Sequence, residues 1–127
     1  MTKEQRLVRD FMLATGYAVA GQPRLESVPF GLFLRMIEEE VDELRLGIRD
    51  RDMAETADAL CDVVYLCYGL ACSMGIDLEP LFLEVHRTNM VKAGGPVRED
   101  GKRLKPPGWM PPRIALLLDE QKHGRRG

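Results

Sequence analysis

A chain of 127 residues that is 45% hydrophobic and 30% charged has room for one domain with a single core and enough charge to be soluble. Its formal net charge of −2 excludes the basic balance of a general nucleic-acid binder. The opening MTKEQRLVRDF lacks the apolar run of a signal peptide, and the least charged stretch, residues 59–76, is broken by Asp62 and too polar for a bilayer span, so a cytoplasmic protein without a membrane partner is expected.

Thr2 and Gln5 have the spacing of a capping box. Leu7, Val8, Phe11 and Met12 then form one apolar helical stripe, which Gly16 ends. Residues 17–29 contain Gly21, Pro23, Ser27 and Pro29 and read as a connecting loop.

A second helix is expected from Phe30 to about Ile48. With Glu40 at zero on the helical wheel, Phe33, Leu44 and Ile37 fall at about 20°, 40° and 60°, and Met36 at about −40°. Glu40 is thus in the middle of the apolar face, where a carboxylate is costly unless it is paired. Glu43 and Glu39 lie at one edge, at about −60° and −100°. For Glu39 a solvated position and a place in a site both stay open. Glu38, Asp42 and Arg35 face water.

The link Arg49–Asp52 is short, so the third helix should run antiparallel to the second. Asp52 and Glu55 match a capping pattern, which gives Glu55 a structural use. The stretch from Ala54 to Ser73 is apolar nearly all the way round, and such a helix is normally buried. It has one acidic stripe. With Asp58 at zero, Gly69, Asp62 and Glu55 lie within about 20°, 40° and 60°. No Lys or Arg on this helix pairs with them. Either the stripe binds a cation, or the helix is half exposed and its acids face water. Cys61, Cys67 and Cys72 form no C-x-x-C pair and are expected as small core hydrophobes in a reducing cytosol. Gly75 ends the helix.

Asp77 can cap a fourth helix that tolerates Pro80 in its first turn. Leu78, Leu81, Phe82 and Val85 are its expected buried face, and Asn89 and Lys92 extend that face. His86, on the flank, reads as structural. Lys92 either snorkels to water or points at an anion. Residues 93–113 then change character, with glycines, prolines and an Asp100-Gly101 turn signal for a loop or short hairpin. They include Arg98, Lys102, Arg103, Lys105 and the single tryptophan, Trp109. This is either a solvated tail pinned by Trp109 or a basic flap over a phosphorylated ligand. Ile114 to Leu118 suit a short helix, and Lys122 to Gly127 a frayed end.

Two antiparallel helices with inward acids can gather four or five carboxylates in one pocket. No Cys/His set of zinc type exists, so hard oxygen ligation of Mg²⁺ or Mn²⁺ is favoured. Such a cluster suits a substrate that brings its own phosphates. There is no P-loop and no G-x-G-x-x-G, so phosphate contacts fall to the metal and to basic side chains such as Lys92. A di-iron bundle would need Glu-x-x-His pairs, and only Glu120–His123, in the tail, has that spacing.

Glu39-Glu40-Val41-Asp42-Glu43 resembles the E-E-x-x-E motif of the all-α nucleoside triphosphate pyrophosphohydrolases, the MazG-like superfamily. Residues 57–65, ADALCDVVY, are similar to its second motif. The segments HRTNMVK (86–92) and DGK…KPPGW (100–109) resemble later segments of its small members. The likeness covers roughly residues 5 to 113. It implies an all-helical, Mg²⁺-dependent enzyme that cleaves the α–β phosphoanhydride of a (deoxy)nucleoside triphosphate to monophosphate and pyrophosphate; nucleotide-pool house-cleaning is the expected use of such a reaction. It implies Glu40 and Glu43 as metal ligands, Glu39 as ligand or base, and Asn89 and Lys92 as triphosphate contacts; on the flap reading of residues 93–113, Lys105 and Trp109 are substrate-binding residues as well. The second motif is usually E-x-x-D. Asp62 takes its Asp position, but Ala59 stands where the Glu is usual. Asp58, on the same face, can substitute, and Glu55–Asp58 satisfies the spacing in another register.

The expected architecture is therefore all-α: a four-helix core of antiparallel helices completed by assembly into a homodimer or homotetramer. The helical domain spans 1–113, including the basic flap, and 114–127 form an extension. A phosphoribosyl-ATP pyrophosphohydrolase and a non-catalytic helical oligomer that binds nucleotide or metal are the alternatives.

Overall fold

The computed structural model describes residues 1–124. These residues are all-helical, with five helices and no strand beyond one isolated bridge between Val97 and Arg103. The chain divides into two compact units, Met1–Asp77 and the residues from Leu78 onward.

The first unit holds α1 (Lys3–Thr15), α2 (Phe30–Arg49) and α3 (Met53–Met74). Thr2 caps α1 by accepting from the Gln5 backbone N–H, and Gly16 ends the helix in the left-handed conformation. The Gln5 side chain is fully buried and donates to the Ile76 carbonyl at 2.7 Å, tying α1 to the end of α3. Asp52 caps α3 through the Glu55 N–H, as its spacing predicts.

At the other end of α3, Gly75 has φ +71°, and a Cβ there would lie 2.1 Å from the Gln22 carbonyl oxygen. Both facts require glycine. The loop between α1 and α2 is drawn against this helix end, where Ala20 and Arg24 donate their N–H groups to the carbonyls of Cys72 and Met74. Those are among the carbonyls a helix terminus leaves without an internal partner.

Val8, Met12, Phe33 and Cys72 form the buried core of this unit, with Val19, Met36, Tyr68 and Leu70 packed around them. α3 packs on both α1 and α2. The α2–α3 seam has a clear register. Gly47 faces Thr56, Glu40 faces Asp62, and Phe33 faces Gly69. Each step along α2 is seven residues, two helical turns, so these three positions share one face.

α3 is less covered than its composition predicts. Leu60, Val64 and Tyr65 are exposed, and so are Cys61 and Cys67; only Cys72 is buried. Two neighbouring helices cover part of its circumference and leave the rest open. Leu7 and Phe11 of α1 are exposed for the same reason. By length and composition alone α3 is apolar enough to cross a membrane, which the sequence reading of residues 59–76 did not credit.

The second unit holds α4 (Leu78–Lys92) and α5 (Ile114–Lys122), with the Pro/Gly-rich segment between them. α5 is longer than the expected Ile114–Leu118. Lys122 is its last helical residue, and the rest of the expected frayed end falls partly outside the described residues. The buried face of α4 is Leu81, Glu84 and Thr88. The expected face is rotated from it: Phe82 is 71% exposed and Val85 is exposed too. Glu84 can take a buried position because its carboxylate is fully hydrogen-bonded, as described below.

Candidate metal and nucleotide site

The antiparallel seam brings acids of α2 and α3 together in the first unit. Glu40 is half-buried on the α3-facing side of α2, and Asp62 is half-buried opposite it. Burial raises the Glu40 carboxyl above its ordinary value first. The charge of Asp62 and a side-chain hydrogen bond with it add to this, followed by the charges of Glu43 and Asp58. Two carboxyl groups that share a hydrogen bond in a partly desolvated seam resist double ionisation unless a cation joins them.

Glu43 and Asp58 are exposed at the edge of this pair, one turn from Glu40 and Asp62 respectively. Glu39 and Glu55 are also exposed, and neither is among the groups that act on Glu40. Glu55 lies in the first turn of α3, where a negative side chain suits the helix dipole. Glu38 and Asp42 face solvent, and Asp42 pairs with Arg45.

Ala59 is 2% exposed. It falls between Thr56 and Asp62 on α3, so the register places it opposite residues 43–44 of α2. The position where the motif usually has Glu is therefore inside the seam, facing the Glu43 turn. Here a methyl group fills it.

The donor chemistry fits a hard divalent cation: oxygen ligands only, negative, with no Lys or Arg on α3 to compete. As the side chains stand, no group of three or more His, Cys, Asp or Glu among the described residues closes round an ion. The contact that exists is the Glu40–Asp62 pair. Glu43 and Asp58 are exposed, so a change of rotamer can turn them toward it.

The other expected binding residues are in the second unit. Trp109 is half-buried and its indole Nε1–H donates to the Thr88 carbonyl at 2.9 Å. Lys92 Nζ lies 5.5 Å and Lys105 Nζ 4.6 Å from the centre of its ring, both within cation–π range. Trp109 thus pins the basic segment to α4 and gathers two ammonium groups. Asn89 and His86 are exposed on α4. Arg98 is engaged locally with Asp100 in the Asp100-Gly101 turn, and Arg103 donates to the Gly95 carbonyl. Gly101 adopts positive φ in that turn.

Sequence reasoning passed over Glu84. Its carboxylate accepts two bonds from Arg87, at 2.8 and 3.0 Å, and two from Arg113, from the backbone N–H at 2.8 Å and from Nε at 3.3 Å. The Arg87 side-chain bonds are the main cause that holds its pKa down to about 2, with the Arg113 N–H next and burial opposing. A legible signal existed: Leu81, Glu84 and Thr88 recur at helical spacing, and Arg87 follows Glu84 by three.

Residues 18–89 match the family model described as phosphoribosyl-ATP pyrophosphohydrolase. The match takes in more than half of the chain, including α2, α3, all six candidate acids and Asn89. Lys92, Lys105 and Trp109 lie beyond its end. No curated protein sequence matches the chain.

Proposed function

The chain belongs to the phosphoribosyl-ATP pyrophosphohydrolase family, one of the MazG-like all-α group and a family of phosphoanhydride hydrolases, and from that premise we propose that it cleaves the α–β bond of a (deoxy)nucleoside triphosphate with Mg²⁺. Water adds to the α-phosphorus, the bond to the bridging oxygen breaks, and pyrophosphate leaves from a nucleoside monophosphate. The observation behind this reading is the Glu40–Asp62 pair, two acids in contact in a partly buried seam with Glu43 and Asp58 beside them.

Glu40, Asp62, Glu43 and Asp58 would hold Mg²⁺, with Mn²⁺ as a substitute. Glu39 and Glu55, farther out on the same two helices, are the remaining candidates, Glu39 as base near the attacking water. When bound, the metal supplies neutralisation of the phosphate oxygens and a more acidic water. Asn89, Lys92, Lys105 and Trp109 would contact the triphosphate. Such turnover would clear unwanted nucleotides. Three unpaired cysteines suit a reducing cytoplasm.

A second copy of the chain is the proposed cover for the open face of α1 and α3, where Leu7, Leu60, Val64 and Tyr65 line an apolar groove of about 370 Å³. A homodimer or homotetramer would bury it.

The test is turnover of a panel of NTPs and dNTPs with and without Mg²⁺, resolving monophosphate from diphosphate and pyrophosphate from phosphate. Monophosphate and pyrophosphate, lost with chelator, are expected. Diphosphate and phosphate would reject the assignment of the bond. Phosphoribosyl-ATP belongs in the panel as a second reading, favoured by the family description and by the identical class of bond.

A further inference from the structure

Three contacts pair α4 with the basic segment in a constant antiparallel register. Glu84 holds Arg113, Thr88 holds Trp109, and Lys92 and Lys105 share the Trp109 ring. Each step is four residues on both sides. On α4 a step of four advances about 6 Å along one face. Four extended residues would reach about 13 Å, too far to keep pace. A turn in which the Trp109 N–H donates to the Pro106 carbonyl at 3.1 Å draws the segment in between Lys105 and Trp109.

We propose that Glu84 is a positioning residue that holds residues 105–113 in register on α4, and so presents Lys92 and Lys105 together as one grip for the polyphosphate of the substrate. This deepens the reading above and rests on its phosphate-bearing substrate. The segment is fixed covalently at one end, where it leaves α4 at Lys92. At its far end the Glu84 carboxylate takes both the backbone and the side chain of Arg113, where α5 begins. Arg87 grips the same carboxylate from α4 itself and keeps its direction fixed.

The two ammonium groups can be no more than about 10 Å apart, since both are stationed on one ring. Each is a compact charge with three donors, and the indole they share has no lone-pair acceptor to satisfy those donors. A linear chain of phosphates does. Release of Arg113 would let the segment swing and would separate Lys105 from Lys92 without removing either charge.

Trp109 is the sole tryptophan, so its emission reports this corner directly and independently of turnover. Inorganic tripolyphosphate is the probe. It should change Trp109 emission in the wild-type protein, and Glu84→Gln should weaken its binding about tenfold, the scale of one charge-assisted contact no longer held in place. In Glu84→Gln the unliganded emission should also shift to the red and acrylamide quenching should rise, because the indole loses its hold on Thr88. A residue that merely attracted phosphate would not move those two readings. With nucleotide, the loss should fall on KM more than on kcat.

Arg113→Ala removes only the side-chain half of the clasp, at a site 67% exposed, and should move emission and quenching in the same direction but less. It decides the question if Glu84→Gln does not fold by circular dichroism. Wild-type emission and quenching in the folded variants, or no response of the wild-type protein to tripolyphosphate, overturns the proposal. Absence of any nucleotide turnover, with the emission and tripolyphosphate effects intact, would sink the enzymatic reading and leave the clasp standing.

Discussion

Gly47 of α2 lies directly against Thr56 of α3: a Cβ at position 47 would stand 2.8 Å from Thr56 Oγ1 and 2.9 Å from its backbone nitrogen. The two helices therefore approach closely enough at their hairpin end, two turns from Glu40, that backbone of α3 fills the place of a side chain on α2.

Gly47→Ala is expected to destabilise the protein and to lower turnover. Alanine gains roughly 1 kcal/mol of helix propensity over glycine. Overpacking costs about 1–3 kcal/mol, and here the obstacle is main chain, which no rotamer change relieves. The cost should win. Thermal melting and kcat measured on the same preparation check this; an unchanged or raised Tm would show that the seam yields freely.

Glu40→Gln should abolish turnover and raise Tm when chelator is present. The folded-state pKa of Glu40 is raised, so its contribution to stability is complete below its unfolded pKa and is lost as pH rises through the folded one. At neutral pH the wild-type carboxylate thus works against folding, and the amide removes that penalty. Mg²⁺ should in turn raise the wild-type Tm, by mass action, and leave that of the variant alone. A thermal-shift series in Mg²⁺ tests both statements; a variant that melts lower than wild type in chelator contradicts the first.

Glu84 has the opposite sign. Its folded pKa is about 2, below its ordinary 4.5, so it stabilises fully above the unfolded value and that support is lost as pH falls from about 4.5 toward 2. The Tm difference between wild type and Glu84→Gln should be widest above pH 5 and should close through this window. Parallel melting curves down to pH 2.5 would contradict the ion-paired geometry.

Val64→Glu tests the open face of α3. Val64 is 52% exposed in the single chain, so the substitution costs little there. If a second copy covers the groove, the new charge is buried against apolar side chains and assembly fails. Sedimentation velocity should show the wild type as an oligomer and the variant as a monomer. A monomeric wild type removes the second copy from the account.

Ala59→Glu probes the departure from the usual second motif. Ala59 is buried opposite the Glu43 turn, so a fifth carboxylate would enter the acidic seam. Without metal the variant should melt below wild type, because another charge is desolvated beside like charges. Added Mg²⁺ should recover more Tm in the variant than in wild type. Equal recovery would place residue 59 outside any metal shell.

Much of this molecule is written in local pattern. The caps at Thr2 and Asp52, the stops at Gly16 and Gly75, and the five helices follow from side chains that act on backbone within a turn or two of themselves. Glu40 in the middle of an apolar stripe was legible for the same reason, because helical period alone fixes which residues share a face. The motif spacing that resembles the MazG-like group is local too, and the family match bears that resemblance out.

Tertiary structure decided what each face meets. Composition left α3 either buried or half exposed; burial depends on how many neighbours arrive, and α1 and α2 leave Leu60, Val64 and Cys61 open. The pairing of Glu40 with Asp62 needed the register that Gly47 and Gly69 permit. On α4, hydrophobicity alone pointed inward through Phe82, whereas the fold turned Glu84 inward, since Arg87 and Arg113 together satisfy a carboxylate that no apolar count can credit. Periodicity records a residue's neighbours along its own helix, and Arg87 is such a neighbour of Glu84; Arg113, the second partner of that carboxylate, lies 29 positions away in the chain and meets it only once the chain has folded.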